Sequence, residues 1–186
     1  TITTVTSGTQ GYAGPMTNTG SITGVGTVTF SSTYGQTAGS LTGGSGLVTF
    51  TGTVTHSDGP ITSGSGGLLF MDAYNGSGSA SLVGSSSGTP TMEFRNNVTF
   101  LGFSRGQSTL RFTGNAAQDF DPNGKDLPAV AINKSGGSVR LVNHDASQTV
   151  SGGALSFSCS LPTSLILNGL TWTLGAACTA GNFVTL

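Results

Sequence analysis

The chain has 186 residues, of which 31 are Gly, 25 are Ser and 29 are Thr, so that three small or hydroxylated residue types make up close to half of it. Only 7% of the residues are charged and the formal net charge is −1, whereas an ordinary soluble domain has about 25% charged residues. Without an excess of basic residues to neutralise phosphates, the composition argues against a nucleic-acid partner. No apolar run reaches the ~18 residues of a membrane-spanning helix, so we expect no membrane span.

The few charged residues are unevenly distributed along the chain. Residues 1–57 and 146–186 contain no Asp, Glu, Lys or Arg, and all formal side-chain charge lies between Asp58 and Asp145. Surfaces with little charge favour association over mutual repulsion. This distribution is expected of a subunit that joins other copies end to end; the alternative is a simple bias in composition.

A 20-residue repeat with the pattern G-x-G-x-[VL]-x-F occupies the first half of the chain. Its three in-phase copies are residues 24–30, 44–50 and 64–70, and Gly84 keeps only the first position of a fourth copy. The spacing of two places Val and Phe on one face of a strand and Thr on the other. So short a repeat cannot bury its own apolar face, and we therefore expect stacked copies with a continuous internal ladder. The ladder would be formed by Phe30, Phe50 and Phe70.

The glycines and the β-branched residues together determine the expected fold class. Their density excludes helix, and the paired glycines are expected where the backbone turns or closely approaches its neighbour. The fold prediction is all-β. A parallel β-solenoid with about 20 residues in each coil is favoured, and the alternative is an antiparallel β-sandwich with one hairpin in each 20 residues. We expect a single elongated domain over residues 1–186, with the regular repeats in 1–90 and irregular strand repeats in 91–186.

The second half of the chain also consists of short strand-like segments separated by Gly, Asn, Pro or Ser. They are residues 92–94, 98–103, 109–112, 129–132, 139–142, 154–158, 164–167, 170–174 and 183–186.

Three of these segments carry a resemblance to a known family. Residues 129–141 read AVAINKSGGSVRL, residues 149–157 read TVSGGALSF, and residues 164–174 read SLILNGLTWTL. The run resembles the β-strand repeats of secreted microbial surface proteins, of the adhesin and autotransporter-passenger type. The resemblance implies a parallel β-helix and an extracellular or cell-surface location, and it implies no particular ligand.

Both ends of the sequence have strand-like patterns. Residues 1–6 read TITTVT and residues 182–186 read NFVTL. Because an exposed strand edge pairs with other chains unless something blocks it, we expect the ends to mediate pairing between copies, by stacking or by strand donation. The alternative is that they are frayed ends or truncation points.

One cluster of polar residues follows the pattern of a calcium-binding loop. Asp119, Asp121, Asn123 and Gly124 match the first half of D-x-[DN]-x-[DN]-G, in which alternating oxygen ligands converge on the ion. Position 12 of the loop is Val130 in place of Glu, so Asp126 or a backbone carbonyl would complete the site. The alternative is a plain surface turn, which Asp, Asn, Pro and Gly favour for their own reasons.

The two cysteines and three Asn residues are candidate modification sites. In an exported protein Cys159 and Cys178 are expected to form a disulfide bond; the alternative is two free thiols. Asn75, Asn97 and Asn133 begin N-x-[ST] sequons, at about the frequency expected by chance, and export would make each of them usable for glycosylation.

No arrangement of residues indicates an enzyme, and we predict neither a catalytic residue nor a cofactor other than calcium. Residues 84–88 match G-x-S-x-G, but this nucleophile elbow requires a following helix, which the sequence does not predict. His56 near Asp58, and His144 beside Asp145, are interpreted as residues of surface turns.

Thr-x-Thr pairs raise an ice-binding alternative, in which a flat Thr ladder would order water. The pairs are Thr27/Thr29, Thr49/Thr51 and Thr53/Thr55. Leu69 occupies, in the third copy of the repeat, the position that Thr29 and Thr49 occupy in the first two, so the ladder is interrupted there. Ordinary solvent-facing strand Thr is the simpler explanation.

These observations lead to a structural function. We expect an extracellular, self-assembling subunit of a surface fibre, whose main partner is a second copy of itself. The first alternative is an adhesin or carbohydrate-binding module that recognises surface glycans. The second alternative is a virion fibre or decoration protein, which would share this composition.

Overall fold

A computed structural model describes residues 8–24, 26–148, 154–157, 164–174 and 179–180. These residues form strands, turns and bends, with no helix among them. The described part of the chain therefore contains no helix that could cross a bilayer. In chain order the strands are β1 Thr9–Tyr12, β2 Met16–Asn18, β3 Ser21–Thr23, β4 Thr27–Phe30, β5 Tyr34–Gln36, β6 Ser40–Thr42, β7 Val48–Phe50, β8 Val54–His56, β9 Pro60–Thr62, β10 Leu68–Phe70, β11 Tyr74–Gly76, β12 Ser81–Val83, β13 Thr91–Phe94, β14 Val98–Thr99, β15 Gly102–Ser104, β16 Thr109–Phe112, β17 Gln118–Asp121, β18 Val130–Ile132, β19 Ser138–Leu141, β20 Ala146–Gln148, β21 Ala154–Phe157, β22 Ser164–Ile166, β23 Trp172–Leu174 and β24 Thr179–Ala180.

The strands stack into a three-sided parallel β-solenoid. Sheet 1 has the order β1-β4-β7-β10-β13-β16-β18-β21-β24, sheet 2 the order β2-β5-β8-β11-β14-β17-β19-β22, and sheet 3 the order β3-β6-β9-β12-β15, with β20 paired to β23 farther along. We number the coils by their sheet 1 strand, so that coils 1 to 8 begin at β1, β4, β7, β10, β13, β16, β18 and β21. The described strand pairs are all parallel, which confirms the solenoid and shows that the antiparallel sandwich alternative is wrong.

The predicted ladder of phenylalanines forms the centre of the core. Val28 pairs with Val48, and Val48 with Leu68, so the 20-residue period is the length of one coil. The rings of Phe30 and Phe50 stack with centroids 5.2 Å apart, and those of Phe50 and Phe70 with centroids 4.9 Å apart. Tyr12, Phe94 and Phe112 extend the stack in both directions.

The glycines that open each repeat lie where successive coils are in closest contact. A Cβ atom at Gly66 would lie 2.2 Å from the carbonyl carbon and oxygen of Gly46, and one at Gly46 would lie 2.2 Å from the carbonyl carbon of Gly26. Real Cβ atoms do not approach other atoms so closely, so a side chain here would push the coils apart. The expectation of close backbone approach is confirmed.

The repeat fades after the third copy because the coil length changes. Leu68 pairs with Met92 rather than with residue 88, which makes coil 4 four residues longer than coils 2 and 3. Three of the four added residues lie in the corner before β13, where residues 86–89 are all exposed, and one lies between β11 and β12, since Pro60 pairs with Ser81. The next coil is shorter, since Met92 pairs with Leu110.

Most of the strands predicted in the second half are present, within a residue or two of the expected bounds. Segment 98–103 is instead two strands, β14 and β15, because the chain turns a corner at Phe100 and Leu101. Three described strands, β17, β20 and β24, lie outside the predicted segments, and segment 183–186 lies outside the described residues. In coil 6 the third side has no strand and only a bridge from Asp126 to Ser147, since Pro122 and Pro128 lack the N–H that a sheet requires.

Candidate functional site

A column of polar side chains runs inside the corner between sheets 2 and 3. Asn18, Gln36 and His56 occupy the same register position in coils 1, 2 and 3. Asn18 Nδ2 donates to Gln36 Oε1 at 2.8 Å, the Tyr34 hydroxyl donates to the same oxygen at 2.6 Å, and Gln36 Nε2 donates to the Ala38 carbonyl at 2.7 Å. Burial is the main cause that raises the pKa of Tyr34 above its ordinary value. The column thus satisfies buried polar groups and holds the corner turns in place.

His56 belongs to this interior column and not to the surface. Its side chain is fully buried, so the interpretation of His56 and Asp58 as a surface-turn pair is wrong for the histidine. The physical reason is strand alternation: Val54 points inward, Thr55 outward and His56 inward again. Asp58 is exposed and accepts a hydrogen bond from the Gly59 amide at 2.7 Å.

A buried lysine links three coils at the corner between sheets 1 and 2. Lys134 is 1% exposed, and its Nζ donates to Gln118 Oε1 at 2.6 Å and to the Thr113 carbonyl at 3.3 Å. The Gln118 amide in turn donates to the carbonyls of Phe94 and Asn96, each at 3.0 Å. The network therefore connects coils 5, 6 and 7, and hydrogen bonds offset the cost of burying the ammonium group.

We expect Lys134→Met to lower the free energy of unfolding by about 2 kcal/mol, because it leaves the buried Gln118 Oε1 atom and the partly buried Thr113 carbonyl without their lysine donor. The matched control is Lys125→Met, which makes the same change in net charge at a partly exposed position. Urea unfolding of the two variants at neutral pH measures the difference. Equal unfolding free energies would contradict the structural role of the buried ammonium group.

A second polar cluster lies at the corner that follows β17 and β19. Asp121, nearly buried at 5% exposure, accepts hydrogen bonds from the Asn123 amide at 2.9 Å, from Asn143 Nδ2 at 2.8 Å and from His144 Nδ1 at 2.8 Å. A carboxylate only accepts, so the proton of the neutral His144 ring is on Nδ1. The imidazole itself is exposed, and its carboxylate partner is Asp121 of the preceding coil rather than the adjacent Asp145, which accepts from the Thr171 amide at 2.7 Å.

The four residues predicted to bind calcium point in different directions. Asp119 faces outward and pairs with the Arg140 guanidinium at 2.7 Å, Asp121 is held by the three donors above, and Asp126 lies 4.0 Å from Arg105 Nε. Asn123 has a φ of 49° beside Gly124 at 65°, the left-handed turn that the pattern favours, and its side-chain amide donates to the Leu101 carbonyl at 3.0 Å. Calcium binding stays a prediction, and an ion here would have to displace these donors.

The predicted glycosylation sites lie on the surface. Asn75, Asn97 and Asn133 are all exposed, so glycosylation at these sequons stays a prediction. Residues 84–88 form the long corner of coil 4, and the strand β13 follows them rather than a helix. Cys159 and Cys178 lie outside the described residues.

The Thr ladder on sheet 1 breaks where the sequence places the break. Thr29 pairs with Thr49, and Thr49 with Leu69. The outward face of this sheet therefore changes character after three coils, as expected for ordinary strand threonines.

In the part of the chain that the structure describes, polar groups connect coil to coil. No buried side-chain nitrogen or oxygen atom there lacks a hydrogen-bond partner, and no three His, Cys, Asp or Glu side chains there lie close enough together to hold a metal ion. A gap lined by Ile22, Val28, Leu41 and Val48 is too narrow to admit water.

Comparison with protein-family models, with curated protein sequences and with solved structures finds no match to this chain.

Proposed function

We propose that this chain is a structural module of an extracellular or cell-surface fibre, and that copies of it associate along the solenoid axis. The observation that carries the proposal is the continuous parallel stack of sheets 1 and 2 around a closed aromatic core. Nine strands in sheet 1 correspond to roughly 38 Å of axial length, at about 4.8 Å for each step. The resemblance of residues 129–174 to the repeats of secreted surface proteins supports the location.

Axial association follows from how a solenoid uses its backbone. Each coil is held to the next by main-chain hydrogen bonds that run parallel to the axis, as between Phe30 and Thr51 or between Phe50 and Met71. A strand at the edge of such a stack offers the same donors and acceptors to a further strand. A second copy is therefore the partner that best matches an open coil.

The distribution of charge supports the same partner. Coils 1 and 2 contain no charged side chain, because the first charged residue of the sequence is Asp58 in coil 3. Their outward positions are mostly Thr, Ser and Gly. Residues 146–186, in the other uncharged region of the sequence, contain no charged residue either. In a head-to-tail contact, coils 1 and 2 of one copy can therefore meet this region of the next copy without burying an unpaired charge, whose desolvation would oppose association.

Electron microscopy and sedimentation of the full chain over a range of concentrations test the proposal. We expect filaments that form in a concentration-dependent way and give an axial reflection near 4.8 Å in fibre diffraction. The control Thr55→Lys places a charge on the exposed outer face of sheet 2 and should leave axial filaments intact. A protein that stays monomeric at all concentrations would contradict self-assembly, and specific glycan binding by that monomer would favour the adhesin alternative.

A further inference from the structure

Position 56 is where the interior polar column changes from amide to imidazole. Gln36 pairs with His56, and His56 with Gly76, along sheet 2. The equivalent positions in coils 1 and 2 hold Asn18 and Gln36, whose amides do not ionise near neutral pH. Coil 3 is therefore the one of these three coils in which the column contains a side chain whose unperturbed pKa lies between about 5 and 8.

Both ring nitrogens of His56 have fixed hydrogen-bond roles. Nε2 lies 2.7 Å from the Gly59 carbonyl oxygen and Nδ1 lies 2.7 Å from the Tyr74 hydroxyl. A carbonyl can only accept, so Nε2 carries the proton and Nδ1 accepts the hydrogen bond from Tyr74. The neutral imidazole thereby joins the corner turn of its own coil to β11 of the next coil.

A second proton on His56 would break this arrangement. Nδ1 would become a donor, the Tyr74 hydroxyl would have to turn its own hydrogen away, and Tyr74 is fully buried. The groups that face the ring are the phenol of Tyr74 from β11 and the neutral amide of Gln36 from β5, with Tyr34 behind it. Sheet 3 strand β9 contributes no ionisable side chain, and the charged group nearby is the exposed carboxylate of Asp58.

We propose that His56, Tyr74 and Gly59 form an acid-sensitive latch, which closes the corner between β8 and β9 while the imidazole is neutral and opens it in mild acid. Coils 1 and 2 have amides at the equivalent positions and stay closed. The latch would give a surface fibre one coil at which acid loosens the stack while leaving its neighbours folded.

The direction of the pH dependence follows from linkage. Burial lowers the pKa of His56 below its ordinary value of 6.5, and the hydrogen bond to the Gly59 carbonyl, together with the backbone and carboxylate of Asp58, offsets only part of this effect. A histidine with a lowered folded-state pKa contributes its full stability above the unfolded-state pKa and loses it as the pH falls below that value. In that window the additional proton bound by the open state lowers the protection of the corner by at most about tenfold for each pH unit.

Hydrogen exchange of the full chain at about pH 7.5 and about pH 5, corrected for the intrinsic exchange rate, tests the latch. We expect the amides of Ser57 and Asp58 to be less protected at about pH 5 than at about pH 7.5. The equivalent amides of Thr37 and Ala38 in coil 2 should be equally protected at both pH values. These amides form matched pairs, since those of coil 3 donate to the Gln36 carbonyl and those of coil 2 to the Asn18 carbonyl. Equal loss in both coils would overturn the proposal, and this comparison needs no variant.

Two variants sharpen the test. His56→Gln places at position 56 the residue that coil 2 has at position 36, and should remove the pH dependence of the corner. His144→Gln changes the exposed histidine and should leave that dependence unchanged. If the corner still opens in acid without His56, or stays closed in acid without His144, the latch is not at His56.

Discussion

Phe50→Ala is expected to lower the free energy of unfolding by about 4 kcal/mol, the upper range for removal of a buried aromatic side chain. Phe50 is fully buried and its ring is stacked between those of Phe30 and Phe70, with Tyr34 against its edge at 5.1 Å. Each of these neighbours loses a contact surface at once. Because they are fixed to backbone ladders on both sides, the coils cannot collapse into the cavity.

The matched control for Phe50→Ala is its neighbour on the same strand. Thr49 points outward from β7, so Thr49→Ala should change stability by no more than about 0.5 kcal/mol. Urea unfolding followed by circular dichroism compares the two variants. A cost for Phe50→Ala as small as that of the control would mean that the aromatic stack does not support the coils.

Gly66→Ala is expected to destabilise the protein by about 3 kcal/mol or more, although it adds only one methyl group. The new Cβ would meet the Gly46 carbonyl group at 2.2 Å. The obstructing atoms are main-chain atoms of the preceding coil and cannot rotate away as a side chain would. This steric overlap is relieved only if the two coils separate, and their separation weakens the backbone hydrogen bonds between β7 and β10.

Gly35→Ala provides the control for that substitution. A Cβ at Gly35 would lie 3.7 Å from the Met16 carbonyl oxygen, an ordinary contact, and the backbone there is not left-handed. We expect stability to be unchanged or slightly increased, since Ala restricts the unfolded chain more than Gly does. Thermal unfolding of the two variants side by side measures the difference, and similar melting temperatures would contradict the close-approach argument.

The sequence was sufficient to predict the solenoid where coil length was constant. Three repeats in phase placed Phe30, Phe50 and Phe70 above one another, because equal coil lengths put equal positions in register. Beyond Phe70 the coil length changes from 20 to 24 and then to 18 residues. The residue that continues the aromatic stack is then determined by which strands pair, and a constant spacing in the sequence no longer identifies it. Phe94 and Phe112 continue the stack, but no fixed period in the sequence locates them.

The polar sites were harder to predict than the fold. Asp119 and Asp121 match the first positions of a calcium loop. The inward side chain of Phe120 and the pairing with β19 instead place both residues in strand β17. The sequence Val54-Thr55-His56 alternates between apolar and polar residues with the period of a strand, and this alternation places the histidine inside. The contact of Asp121 with His144 links successive coils and depends on a coil length that local spacing does not give.

The exposed corner of coil 4 has a practical consequence. Three of the four additional residues of coil 4 are accommodated there while Leu68 and Met92 remain paired, so the coils above and below do not depend on the length of this segment. A foreign peptide grafted between residues 86 and 89 should therefore be displayed on the outside of the rod without disturbing its interior. If copies assemble into a fibre, the graft would recur once in every subunit, which makes this corner an attachment point for regularly spaced cargo.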